Sequence, residues 1–244
     1  MKKHLFLLVF IGCFCGVYAQ NDEFEPKWRL NVAGGMGYIT AATSAEEQAY
    51  IVSMGLDSKK VKDMYSDIKS GTQFNADIHY LLNKNIGIGI KYAFFTTGGG
   101  MMQVLPHDQV VTLEIDDNYY INYIGTSLHV RSSIGDSRFA LSLTISGGYA
   151  FFRGEENYYF YSYGGFGESQ LLATGSSFSA YWGAGLEYFL NKNIALGVDL
   201  GYHHLSFDKL QVSVYDNRGF ESYINPADVD FSRLDLSLGV KVYF

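Results

Sequence analysis

Apolar and polar residues alternate along most of this chain. The C-terminal segment is the most regular: Leu234, Leu236, Leu238, Val240, Val242 and Phe244 are apolar, while Arg233, Asp235, Ser237, Gly239 and Lys241 between them are mostly polar. A strand's side chains alternate faces with period two, so this run has one apolar and one polar face. The same pattern recurs upstream. Trp28, Leu30, Val32, Met36 and Tyr38 oppose Arg29 and Asn31; Phe74, Ala76, Ile78, Tyr80 and Leu82 oppose Asn75, Asp77 and His79. Ile86, Ile88, Ile90, Tyr92 and Phe94 oppose Gly87, Gly89 and Lys91; Ile124, Thr126, Leu128 and Val130 oppose Ser127, His129 and Arg131. Phe139, Leu141, Leu143, Ile145, Tyr149 and Phe151 oppose Ser142, Thr144 and Ser146; Phe178, Trp182, Leu186, Tyr188 and Leu190 oppose Ser179, Gly183 and Glu187. Ile194, Leu196, Val198, Leu200 and Tyr202 oppose Asp199 and His203. With the last segment these make about eight strands, an even number that can close on itself.

A soluble sandwich would show the same alternation, and the connections separate the two. Asn83-Lys84-Asn85, Gly135-Asp136-Ser137 and Asn191-Lys192-Asn193 are short and rich in residues that suit tight turns. The other connections, residues 41–70, 97–118, 153–174 and 209–229, read as long loops. Short turns on one side and long loops on the other mark a transmembrane barrel. The prediction is therefore an all-β, eight-stranded antiparallel up-and-down transmembrane β-barrel. The segment from Tyr80 to Gly89 is echoed from Tyr188 to Gly197, through hairpin duplication or convergence on one good turn.

Aromatics, 16% of the chain, sharpen the picture. Trp28, Tyr80, Phe139, Tyr188, Phe189, Tyr243 and Phe244 fall at the short-turn ends. Tyr38, Phe94, Phe95, Tyr119, Tyr120, Phe151, Phe178, Tyr202 and Phe231 fall at the long-loop ends. Two such belts are what two membrane interfaces select.

Lys2, Lys3 and His4 precede a short apolar core at residues 5–14, and Val17-Tyr18-Ala19 offers a small-x-Ala cleavage site. This layout predicts a secretory signal peptide over residues 1–19 and a barrel domain over 20–244. Cys13 and Cys15 both lie in the leader; acylation of Cys13 is the alternative, but Phe10-Ile11-Gly12 is a poor lipobox. The mature chain then has no thiol for a disulfide or a metal. Taking Lys2 and Lys3 from the 18 basic residues leaves 16 against 25 acidic, a net −9. Such a chain, without a basic cluster, is not expected to bind nucleic acid.

The terminal aromatic after alternating apolar residues, within an even-stranded pattern, resembles the small outer-membrane barrel families, including OmpA-like barrel domains and porin-like barrels of Bacteroidetes type. The resemblance covers most of residues 27–244. It implies location in the outer membrane, contact with its lipid, and a C-terminal strand read by the insertion machinery, here through Leu238, Val240, Val242 and Phe244. No peptidoglycan-binding domain is expected after Phe244.

The polar face carries Arg29, Asp77, His79, Lys91, His129, Arg131, Glu187, Asp199, His203, Arg233, Asp235 and Lys241. An eight-stranded barrel is just wide enough for side chains to fill, and buried charges must pair, so these predict an ion-pair network plugging the lumen. A narrow porin or small-ligand barrel is the alternative. No metal is expected, since His79, His129 and His203 lack ligand spacing, and no cofactor is expected. Ser44 with Glu47 reads as a capping box, and Val61, Met64, Tyr65 and Ile68 trace an amphipathic stripe; loop one is thus partly helical, as a lid or as a surface for a partner. His204-Leu205-Ser206 is similar to the His-x-Ser of lipid A deacylase barrels, but Phe207 stands where that family has Asn. Asp116-Asp117 offers carboxylates for calcium without the rest of a binding loop, and Gly98-Gly99-Gly100 reads as a flexible turn. The expected role is non-enzymatic: envelope structure, or surface interaction through long extracellular loops, with a lipid A-modifying hydrolase as a remote alternative.

Overall fold

The computed structural model describes residues 26–41, 48–49, 52–53, 55–105, 111–162, 165–216, 219–226 and 229–244. The signal segment and the Ser44/Glu47 pattern lie outside them. In chain order the elements are β1 (Trp28–Ile39), α1 (Ser58–Lys69), β2 (Ser70–Leu81), β3 (Ile86–Leu105), β4 (Val111–Ser133), β5 (Phe139–Ser162), β6 (Gly165–Phe189) and β7 (Ile194–His204). Four short strands follow, β8 (Ser206–Phe207), β9 (Leu210–Asp216), β10 (Gly219–Asn225) and β11 (Val229–Asp230), before β12 (Arg233–Tyr243).

Strands β1 to β7 pair antiparallel with their sequence neighbours, and β12 lies between β7 and β1. The ring therefore closes. At the seam Val32 faces Val240 and Leu30 faces Val242, and Trp28 and Phe244 exchange backbone hydrogen bonds of 2.7 and 2.9 Å. Closure gives each ring strand a partner on both sides, the condition for crossing lipid without helices. Among the described residues no helix is long and apolar enough to cross a membrane.

Two of the short turns use the same device. Asn83 Oδ1 accepts from the backbone N–H of Asn85 and Ile86, and Asn191 Oδ1 from those of Asn193 and Ile194, all at 2.8–2.9 Å. These are Asx turns, which close a hairpin without a glycine. The third turn instead places Gly135 in the left-handed region, at φ 56°.

The apolar face of every ring strand points outward. Met36, Ile90, Ile124, Leu141, Leu200, Leu236 and Leu238 are each more than half exposed. The polar face points in: Arg29, His79, Lys91, His129, Glu187, His203, Arg233 and Lys241 are buried. A soluble protein has the reverse arrangement. Along β1 the outer face runs from Trp28 to Tyr38, which at the usual strand rise and tilt is a band about 25 Å tall.

The structure corrects two of the predicted long loops, 97–118 and 153–174. Residues 97–105 and 111–118 continue β3 and β4, and most of 153–174 continues β5 and β6, making strands of 20, 23, 24 and 25 residues. The β9–β10 hairpin adds to the β6 edge, with Leu171 facing Val214. Outside the membrane the outward face meets water, so the apolar alternation fades while strand pairing continues. Gly98, Gly99 and Gly100 are paired to Asn118, Asp117 and Asp116 within this sheet and form no turn. A Cβ on Gly99 would lie 2.8 Å from the Met64 carbonyl, so glycine there lets α1 approach.

Helix α1 packs on the inward face of the β3–β4 extension. Its stripe of Val61, Met64 and Ile68 is buried with Leu56 against Met101, Leu113 and Ile115, and Tyr65 packs at the margin. Asp57 caps the first turn by accepting from Lys59 and Lys60 N–H. Thr97 donates to the Ile68 carbonyl, or to Ser70, at the other end.

Candidate functional site: the lumen and the outer sheet

The lumen is layered from the short-turn end upward. In the lowest layer Glu187 of β6 reaches side chains from strands β1 and β12. Its Oε1 lies 3.4 Å from Arg29 Nη2 and 3.3 Å from Lys241 Nζ, and its Oε2 accepts from the Tyr243 hydroxyl at 2.5 Å. Lys241 Nζ also donates to Asp199 Oδ1 at 2.8 Å. Asp77 gathers the layer above: Arg29 Nη1 and Asn31 Nδ2 donate to it, His79 Nδ1 is 3.1 Å away and Lys91 Nζ 3.9 Å. His79 Nε2 meets Ser127 Oγ at 2.8 Å, and its ring lies 5.2 Å from that of His129, which contacts Thr144. Lys91 stands over the Tyr181 ring at 4.2 Å.

A second, smaller group lies higher. Arg233 Nε donates to Asp235 Oδ1 at 3.0 Å, and its guanidinium covers the Phe95 ring at 4.6 Å. His203 packs between Tyr123 and Tyr181, with Nε2 3.5 Å from Asp235 Oδ2, longer than a hydrogen bond. Of the residues read from sequence, Arg131 stands apart: half-buried at the rim, it donates to the Lys84 carbonyl and stacks over Tyr243 at 4.7 Å. Asn31, Asn75, Ser127, Tyr123 and Tyr181 join the network without having been singled out; each is an uncharged member of an inward face already marked by charge.

The interior leaves little room. Between Arg29, Asp77, Lys91, Tyr181 and Asp199 there is a cavity of about 10 Å³, room for one water. Glycines clear the space for long side chains: a Cβ on Gly185 would collide with Asp199 Oδ1, and one on Gly197 would lie 2.5 Å from Lys241 Cε. Among the described residues no three His, Cys, Asp or Glu side chains converge as metal ligands.

The outer end of the lumen is apolar, which the polar reading of the inward face did not anticipate. Ile39, Phe95, Ile121, Phe152, Phe207 and Phe231 are buried there as one cluster, with Phe152 and Phe231 rings 4.7 Å apart. This corrects the aromatic belts. Phe95, Tyr119 and Phe231 point inward at the top, and Phe189 and Tyr243 inward at the bottom, where Tyr243 is 1% exposed. Tyr38, Phe151 and Phe178 above, and Trp28, Tyr80, Phe139, Tyr188 and Phe244 below, remain on the outer face. The sequence signal was available. Phe94-Phe95, Phe151-Phe152 and Tyr243-Phe244 are adjacent in strands, so one of each pair must face in. Asp116 and Asp117 obey the same rule: Asp117 is buried inward and Asp116 exposed outward, so they cannot chelate one ion together.

His204 is exposed at the end of β7, but its Nδ1 meets Ser232 Oγ at 3.3 Å, and Ser206 pairs with Asp230 off the ring. Glu187 lies at the opposite end of the lumen, bound to Arg29, Lys241 and Tyr243.

A closed ring with an apolar exterior, a charged interior and short turns on one side defines an integral outer-membrane β-barrel. The chain belongs to the outer membrane protein beta-barrel domain family, whose model matches residues 6–244. Among solved structures it is similar to Neisserial surface protein A, at 12% identity and a TM-score of 0.44 over 91% of this chain and 100% of that one. It is also similar to a major outer membrane protein of Thermus thermophilus, at 11% identity and TM-score 0.47 over 89% of this chain and 99% of that one. The outer membrane protein OprG of Pseudomonas aeruginosa gives 11% and 0.46, over 92% of this chain and 99% of that one. No curated protein sequence matches. The protein is thus located in the outer membrane, with membrane lipid around its apolar band.

Proposed function

We propose that this protein is a non-enzymatic surface-interaction barrel, whose β3–β6 extension and β9–β10 hairpin are the working part and whose lumen is a structural plug. One observation carries the reading. Phe160, Tyr161, Phe166, Tyr215, Phe220, Tyr223 and Ile224 are exposed on the extension, beyond the membrane band, by 43–69%. Tyr161 and Phe166 rings lie 5.2 Å apart, and those of Tyr215 and Phe220 4.9 Å. Apolar exposure in water on this scale marks a contact surface, and aromatics dominate such contacts. The charged lumen supports the same reading, since its ion pairs and its outer aromatic cluster fill the route a solute would take. The geometry around His204 favours an interfacial histidine over a hydrolase.

Residues 1–19 act as the export signal, and 20–244 form the barrel domain. Leu238, Val240, Val242 and Phe244 are the segment read by the insertion machinery.

The test compares cells displaying the wild-type barrel with cells displaying Phe166→Ser/Tyr215→Ser/Phe220→Ser at equal surface density. Attachment to one another and to a coated surface is expected to fall severalfold in the variant. Equal attachment would overturn the role assigned to the sheet. Planar-bilayer recordings of the wild type are expected to show no conductance steps; resolved steps would establish the narrow-porin alternative instead.

A further inference from the structure

The rim formed by the short turns has a character opposite to the rest of the chain. The protein is net acidic, yet Lys27, Lys84, Arg131, Arg138 and Lys192 sit at this rim, with Asp136 as the acid there among the described residues. Short turns face the periplasm, so these cations stand at the level of the inner-leaflet headgroups.

They are not spread evenly. The β4–β5 and β6–β7 turns are neighbours, joined where Phe189 N–H donates to the Arg138 carbonyl at 2.8 Å. Between these turns lies a cleft of about 410 Å³ lined by Arg131, Arg138 and Lys192 together with Phe189, Phe139 and Leu190. Arg131 is held in place by the Lys84 carbonyl at 3.0 Å and by the Phe189 and Tyr243 rings, with guanidinium-to-ring distances of 5.2 and 4.7 Å. Arg138 and Lys192 are exposed on the two flanking turns. Phe139 and Leu190 are 41% and 48% exposed on the outer, lipid-facing side of the same cleft.

We propose that this cleft is a binding site for an anionic glycerophospholipid of the inner leaflet. Its phosphate is held by Arg131, Arg138 and Lys192, and its acyl chains run up the barrel wall from Phe139 and Leu190. Guanidinium groups suit phosphate oxygens through paired N–H donors. A free phosphate would use the cations alone, whereas the adjoining apolar wall gives a lipid a second reason to stay. Zwitterionic lipids carry their own cation and gain less from this cluster.

Native mass spectrometry of the full barrel reads the proposal directly. The protein is released from detergent micelles containing palmitoyl-oleoyl phosphatidylglycerol or the matching phosphatidylcholine at equal concentration. The wild type is expected to retain the phosphatidylglycerol about tenfold more, as for the loss or gain of a few exposed charge contacts. Arg138→Ala/Lys192→Ala is expected to bring retention down to the phosphatidylcholine level, and Arg138→Lys/Lys192→Arg to keep it. Heat-modifiable gel migration verifies that each variant is folded. Equal retention of both lipids by the wild type, or unchanged retention in the alanine variant, would overturn the site. So would an equal loss in Lys27→Ala/Lys84→Ala, which leaves the cleft cations in place and would assign the effect to rim charge alone. Displacement of the lipid by millimolar inorganic phosphate would reassign the cleft to a free anion.

Discussion

Tyr243 donates its phenolic hydrogen to Glu187 across the floor of the lumen. That bond ties the last strand to β6, two strands away around the ring, and the same carboxylate answers both Arg29 and Lys241. One acid thus links its own strand to two others, and its removal takes a shared partner from two buried cations.

Glu187→Ala is therefore expected to be the most damaging single change in the lower lumen. Breaking a buried pair by removing one partner costs about 3–5 kcal/mol. Urea unfolding in lipid vesicles measures it. Tyr243→Phe, which removes only the hydroxyl, is expected to cost about 1.5–3 kcal/mol, as for a hydrogen bond to a charged group. An Ala variant as stable as the wild type would show that the floor does not depend on this carboxylate.

The outward face predicts a position-dependent penalty. Leu238 is 67% exposed in mid-band, between Val198 and Gly34 in the ladders. Leu238→Arg is expected to destabilise the inserted barrel by about 2–4 kcal/mol, and Phe244→Arg, at the rim, by about 0–1 kcal/mol. Vesicle-unfolding midpoints for the two variants test the difference. Equal penalties would contradict the placement of the band.

Phe152 lies at the centre of the aromatic cluster, 4.7 Å from Phe231 and 5.5 Å from Phe207. Phe152→Ala is expected to cost about 3–5 kcal/mol through the cavity it leaves. Conductance is expected to stay at background, because the charged layers below still fill the lumen. Resolved current steps in this variant alone would make the cluster the gate of a channel.

Helix α1 is expected to be separable from the barrel. Asp57→Ala removes the cap from the first turn and costs the helix about 1 kcal/mol. Hydrogen exchange should quicken across residues 58–69 while the ring strands keep their protection. Faster exchange in the ring would mean that the helix supports the barrel.

The ring was legible because lipid imposes a period-two pattern on any strand that crosses it. Leu234 to Phe244 states that pattern almost without interruption, and the inward charges follow as its complement. Two things were harder to see. Residues 97–105 and 153–162 leave the membrane, so water removes the demand for apolar side chains that marks the strands elsewhere. The aromatic pairs mislead for another reason. Position along a strand does not settle belt membership, because Phe95 and Phe152 differ from Phe94 and Phe151 only in the face they occupy. The pairing of charges in the lumen lay further out of reach. Alternation places Arg29, Asp77 and Glu187 in one interior; only the register of β1 against β2 and the curvature of the ring bring their atoms together.

The seam between β1 and β12 also orders events in time. Trp28 and Phe244 bond to each other from near opposite ends of the chain. Until β12 arrives, β1 and β7 each present a bare row of donors and acceptors, the kind of edge that recruits stray strands. Every form of the ring that lacks β12 therefore carries two open edges within the membrane band, and closure removes both.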